Sequence, residues 1–201
     1  MLSSKITLKI KGTGIKNILG YENSYVCFNK AYFPKEVYIN GELQNEVKYS
    51  YNFNQTINFV ELIWNNNINN CDHMFRRCSD IIEFDFSNFN TSEVTTMWRM
   101  FSDCSSLTSL NLSNFDTSKV RDMRAMFYGC SSLTSLNLSN FDTSQVTYMW
   151  SMFYGCSLLT SLNLSNFDTS QLQWIHNMFE DCRHLEYINL LNFNEIKLSR
   201  H

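Results

Sequence analysis

Cysteine is the residue type most able to do chemistry here. The chain has seven, and Cys78, Cys104, Cys130, Cys156 and Cys182 recur every 26 residues. Stacked copies could bring neighbouring sulfurs within disulfide range, about 4.4–6.8 Å between Cα atoms. A column of five cannot pair completely, and the C-x₂-C pairs that suggest zinc are absent. The leading expectation is therefore free, buried thiols acting as small hydrophobes, with disulfides and a metal site as alternatives. His176, Glu180, Asp181, Cys182 and His184 crowd the last copy, and His176 and Glu180 fall four apart on a predicted helix. That spacing is imaginable for a metal, but terminal repeats commonly turn polar where they face water. His73 has no nucleophile or acid at a recognisable spacing. No catalytic residue, metal ligand or cofactor is assigned, and no enzymatic activity is expected.

Two other sets suit non-covalent recognition. Ser109 and Asn111, Ser135 and Asn137, and Ser161 and Asn163 occupy equivalent places in successive copies, flanked by Thr108, Thr134 and Thr160. They form an uncharged ladder, either a solvated face copied by duplication or a surface for a glycan or an extended peptide. Asn111, Asn137 and Asn163 also head Asn-Leu-Ser sequons, so glycans could coat this face in an exporting eukaryotic host. The second set is variable between copies. Trp98, Arg124, Trp150 and His176 share one place; Thr96, Asp122, Tyr148 and Trp174 share another; Tyr128 and Tyr154 share a third. Trp, Tyr and Arg dominate protein contacts, so these residues are either lateral packing between repeats or a convex partner-binding patch.

The elements that must position them follow from the period. Met-Phe pairs at 74–75, 100–101, 126–127, 152–153 and 178–179 keep the 26-residue phase of the cysteines. A fixed period of this size signals stacked units that bury a shared face. Within one unit, Leu107-Thr-Ser-Leu-Asn-Leu112 has the L-x-x-L-x-L spacing of a leucine-rich-repeat strand, with Leu110 and Leu112 inward. Phe115, Phe141, Phe167 and Phe193 hold the place where that pattern usually has Asn, predicting an aromatic stack instead of an Asn ladder. Asp116-Thr117-Ser118 suggests a helix N-cap, and Val120, Met123, Met126 and Cys130 then fall on one helical stripe.

The expected fold is thus α/β: a right-handed leucine-rich-repeat solenoid with a parallel β-sheet of about five strands and short helices opposite. Its handedness follows from that of βα crossovers.

Residues 1–66 lack the period. Alternation over 6–10, 36–39 and 57–63, with Asn40-Gly41 as a hairpin turn, predicts a small β-rich cap or an independent β domain. Residues 67–201 form the repeat region. Val60, Leu62 and Trp64 would stack as a degenerate strand under Ile81, and the polar tail after Phe193 is either a weak cap or a truncation.

The 100–118 run, Met-Phe-x-x-Cys-Ser-Ser-Leu-Thr-Ser-Leu-Asn-Leu-Ser-Asn-Phe-Asp-Thr-Ser, and its copy at 126–144 resemble the BspA-like leucine-rich repeats, in their 26-residue surface-protein variety. The resemblance spans about residues 71–193 and implies adhesion or host contact at a cell surface.

Composition narrows the choice of partner. Across 201 residues the formal net charge is −3 and only 17% are charged, so no basic stripe exists to neutralise nucleic-acid phosphates. No run approaches the roughly 18 apolar residues of a membrane span, and none forms a signal-peptide core near the N-terminus. The expected function is non-catalytic recognition or adhesion by a monomer, with a protein or glycan ligand, at or outside the cell surface. A cytoplasmic protein–protein scaffold is the alternative.

Overall fold

The computed structural model describes residues 3–23 and 26–193. Strands β1 (Ser4–Lys11), β2 (Gly14–Asn17), β3 (Tyr21–Asn23) and β4 (Val26–Cys27) precede a 3-10 turn at Lys30–Tyr32. Then come β5 (Glu36–Ile39), β6 (Glu42–Leu43), β7 (Ser50–Phe53), β8 (Ile57–Trp64) and β9 (Ile81–Asn88). Two short strands follow much later, β10 (Ser161–Asn163) and β11 (Tyr187–Asn189).

The main sheet has the order β6-β5-β8-β1-β9, and every neighbour is antiparallel. Alternation explains it. Ile6, Leu8 and Ile10 of β1 and Val60, Leu62 and Trp64 of β8 are buried, while the residues between them are not. Asn40 and Gly41 take φ of 51° and 87°, the two left-handed residues of a type I′ hairpin between β5 and β6. The expected stacking of Val60, Leu62 and Trp64 beneath Ile81 does not occur, because β1 lies between β8 and β9. β9 belongs to the first 26-residue unit and ties it to this sheet. A second tie is Gly20, whose N–H donates to the Met74 carbonyl at 2.8 Å. A Cβ there would lie 1.8 Å from the His73 carbonyl oxygen, so only glycine permits the approach.

The expected α/β solenoid is overturned. Among the described residues the only helix is the 3-10 turn, the large sheet is antiparallel, and parallel strand pairing is confined to β10 with β11 and to single-residue bridges. Among the described residues no set of helices lies opposite a parallel five-stranded sheet, so the handedness argument loses its crossover.

What replaces the helices is a run of tight turns. Positive φ recurs twice per unit, at His73 and Arg77, Arg99 and Asp103, Ala125 and Gly129, Ser151 and Gly155, and Asn177 and Asp181. Two left-handed residues four apart break a right-handed helix. The amide hydrogens divide accordingly. Met100, Ser102 and Cys104 donate back three residues within their own turn, while Met97, Arg99, Phe101 and Asp103 donate to Asp122, Arg124, Met126 and Tyr128 of the next. Single-residue parallel bridges link Asn70, Thr96, Asp122, Tyr148 and Trp174 in sequence. The 26-residue units therefore stack in register, but as turns.

The inward residues are those expected. Val120, Met123, Met126, Phe127 and Cys130 are fully buried, each large apolar side chain contributing roughly 1.5–3 kcal/mol. Turns closed over three residues return side chains to one face nearly as a helix does. The aromatic stack runs elsewhere than expected, through Phe75, Phe101, Phe127, Phe153 and Phe179, with centroids 5.7–6.0 Å apart. Phe115, Phe141 and Phe167 are buried beside an Asn ladder that does exist, one residue earlier. Asn114, Asn140 and Asn166 each donate to two carbonyls of the preceding unit, as Asn140 does to Leu112 and Phe115 at 3.0 and 2.9 Å. Side chains thus take carbonyls that backbone amides would take in a sheet. Buried Thr117 and Thr143 add a further rung, each hydroxyl bonding both the N–H and the C=O regions of the next unit's backbone. Residues 194–201, including the tail read as cap or truncation, lie outside the described residues.

Candidate binding surface

The Ser/Asn ladder is brought together. Ser109, Asn111, Ser135, Asn137, Ser161 and Asn163 line an open groove of about 540 Å³, floored by Leu110, Leu136 and Leu138. Leu136, which holds the place of inward-predicted Leu110 in the next unit, is only half-buried and forms part of that floor, whereas Leu138 is buried. The local chemistry fixes the asparagines. The Oδ1 atoms of Asn111, Asn137 and Asn163 accept from the N–H groups of Ser113, Ser139 and Ser165 at 3.0–3.1 Å, each closing an Asx turn. The same turn at Asp116 and Ser118 stands where a helix N-cap was expected. Each asparagine is therefore held in the same pose from unit to unit. A second concavity of about 500 Å³ adjoins the groove through Ser109 and Asn111 and brings in Glu83 and Asp85 of β9. Bonds from Ser87 hold the Asp85 carboxyl below its ordinary range, and Glu83 is paired with Lys9 at 3.2 Å.

The aromatic set also converges, into a column. His73 packs on Trp98 with centroids 4.6 Å apart, and the Arg124 guanidinium lies 4.7 Å from the Trp98 ring. The same guanidinium is 5.2 Å from Tyr148 and 5.8 Å from Trp150, and Trp150 stacks on His176 at 5.5 Å and 8°. Asp122 clamps Arg124 through Nε at 2.8 and 2.9 Å, a bond that raises the guanidinium pKa. Trp98, Arg124, Tyr148 and Trp150 are all partly covered, as lateral packing requires; Trp174 alone, at 55%, is exposed at the last unit. Tyr128 and Tyr154 stack on each other at 4.7 Å. No residue of the column lines the groove.

Asp72, missed in the sequence, anchors the lower end. It accepts from the Thr96 hydroxyl and from the Trp98 N–H at 3.0 Å, and burial raises its carboxyl pKa despite those bonds. Its legible signal was position: it stands 26 residues before Trp98, in the place Arg124 and Trp150 fill later. All seven cysteines are free thiols. Among the described residues no three His, Cys, Asp or Glu side chains are placed to hold a metal; His184 instead bonds the Ser157 carbonyl and His176 stacks on Trp150.

A family model described as "Mycoplasma protein of unknown function, DUF285" matches residues 41–157 and again 109–200, together well over half of the chain. The chain belongs to the DUF285 family. The two DUF285 matches overlap over 109–157, as expected of a periodic chain that a model can meet in more than one register. The DUF285 assignment covers β6 to β11 and so includes both surfaces, while leaving β1 to β5 outside. No curated protein matches the chain, and no solved structure matches it. No helix among the described residues is long and apolar enough to cross a membrane.

Proposed function

We propose that this protein is a non-catalytic recognition module, working in adhesion at or near the cell surface, and that the Ser/Asn groove is its binding surface. The observation that carries the reading is the groove itself. Ser109, Ser135 and Ser161, with Asn111, Asn137 and Asn163, rim an apolar floor with identical, pre-set hydrogen-bonding groups. A repetitive ligand such as a glycan or an extended peptide can meet such an array one unit at a time, without the ordering cost of a mobile loop. The sequence resemblance to surface-protein repeats supports the location.

Ligand capture from a glycan and peptide array tests this, using the full chain beside a variant carrying Ser135→Tyr and Ser161→Tyr. Filling the groove is expected to abolish capture while the melting temperature holds. Capture that survives this change and is lost with Trp174→Ala places the surface on the aromatic column.

A second reading, an intracellular protein-interaction scaffold, is favoured by the seven free thiols, since reducing compartments keep cysteines unpaired. Surface biotinylation of intact cells expressing the native protein separates the two.

A further inference from the structure

The antiparallel unit carries a separate cavity of about 850 Å³, formed where β3, β4, the 3-10 turn and the chain entering β7 meet. Three rings wall it. Tyr21 and Tyr49 lie 4.9 Å apart at 38°, and Phe33 meets Tyr49 edge-on at 4.9 Å and 82°. The Tyr49 hydroxyl donates to the Phe28 carbonyl at 2.9 Å, which fixes that ring, while Tyr21 stays 43% exposed. The rings form an angular corner. A planar aromatic ligand is best held in a parallel slot; a corner suits a puckered ring, thick in both directions, with C–H groups to offer each face.

The rim supplies polarity of a particular sign. Lys48 is paired with Glu46 at 3.2 Å, so the two offer donors and acceptors without net charge. Lys30 has no ion-pair partner among the described residues; its ammonium lies 5.9 Å from the Tyr49 ring centroid. A cationic ligand would have to displace that ammonium from the ring. An anionic ligand would instead be drawn to it.

We propose that this cavity binds an acidic saccharide. The sugar ring packs into the corner of Tyr21, Phe33 and Tyr49, its hydroxyls meet Glu46 and Lys48, and its carboxylate pairs with Lys30. This site is independent of the Ser/Asn groove.

Calorimetric titration of the full chain with glucuronate, glucose and benzoate tests the assignment. Glucuronate is expected to bind saturably at one site, with glucose about tenfold weaker for want of the charge-assisted bond. Lys30→Met, on an exposed turn, should level the two sugars without shifting the melting temperature; Tyr21→Ala should weaken both. The groove-filling pair Ser135→Tyr and Ser161→Tyr should leave glucuronate binding intact. The proposal is overturned by absence of saturable glucuronate binding, by benzoate binding as tightly as glucuronate, or by a glucuronate preference that survives Lys30→Met. Loss of glucuronate binding on filling the groove also overturns it. Should Tyr21→Ala fail to fold, Lys30→Met decides alone.

Discussion

The thiol of Cys130 donates a hydrogen bond to the carbonyl oxygen of Phe101 at 3.1 Å, across the boundary between two stacked units. Cys104, Cys156 and Cys182 make the same bond to Phe75, Phe127 and Phe153 at 3.0–3.2 Å. Cysteine suits the place because it is small, apolar and still a weak donor. Buried and hydrogen-bonded, the Cys104, Cys130 and Cys156 thiols should be inert. Ellman's reagent added to the native protein is expected to react quickly only with half-buried Cys27 and Cys182, and with all seven once the chain is unfolded. Rapid reaction of the others in the native state would contradict the stacking.

Burial raises the thiol pKa of Cys71, Cys78, Cys104, Cys130, Cys156 and Cys182, the last to about 11 from an ordinary value of 9.0. Above pH 9.0 the unfolded chain releases protons that the folded chain keeps, so stability falls as pH rises. The contribution is fully present below that pH. Each of the buried Cys71, Cys78, Cys104, Cys130 and Cys156 thiols removes up to about 1.4 kcal/mol per pH unit until its own folded value is passed, and the more exposed Cys182 removes less. Thermal melts should show little thiol-dependent change up to about pH 8.5 and a steep decline beyond it. A flat alkaline limb would contradict the burial.

Gly155 takes φ of 69°, and a Cβ there would meet nothing closer than 3.6 Å. Space is thus available and only the backbone resists. Gly155→Ala should destabilise by about 1–2 kcal/mol, whereas in a helix the same change would stabilise by about 1 kcal/mol. Chemical denaturation reads the sign directly.

Asn137 and Asn140 are three residues apart and make opposite predictions. Asn140→Ala removes both donors that hold the Leu112 and Phe115 carbonyls and should cost about 1–2 kcal/mol. Asn137 bonds only an exposed amide that water can satisfy, so Asn137→Ala should fall within about 0.5 kcal/mol of the parent. Equal losses would remove the ladder from the account.

The period, the inward Met, Phe and Cys positions, the Asn40-Gly41 hairpin and both clusters of surface residues were legible in the sequence, because each rests on spacing alone. Conformation was not. Val120, Met123, Met126 and Cys130 recur every three or four residues, and that interval does not distinguish an α-helix from turns closed over three. The distinguishing signal was present at the residue before each cysteine, where Arg77, Asp103, Gly129, Gly155 and Asp181 stand. Gly and Asp tolerate positive φ, and their repetition there marks a left-handed position rather than a helix interior. The Asn ladder was hidden for a related reason: Asn114, Asn140 and Asn166 keep the same 26-residue spacing as the adjoining Phe115, Phe141 and Phe167, and spacing alone does not tell which of the two bonds the preceding unit.

The stacked turns carry the Ser/Asn groove and the aromatic column, and one measurement reaches them directly. Scalar couplings across hydrogen bonds, read by NMR in solution, identify which carbonyl each amide bonds. Coupling from the Phe101, Phe127 and Phe153 amides to the carbonyls of Met126, Met152 and Met178 is expected. Coupling instead to Met97, Met123 and Met149, four residues back along the same unit, would restore the helices and contradict the account.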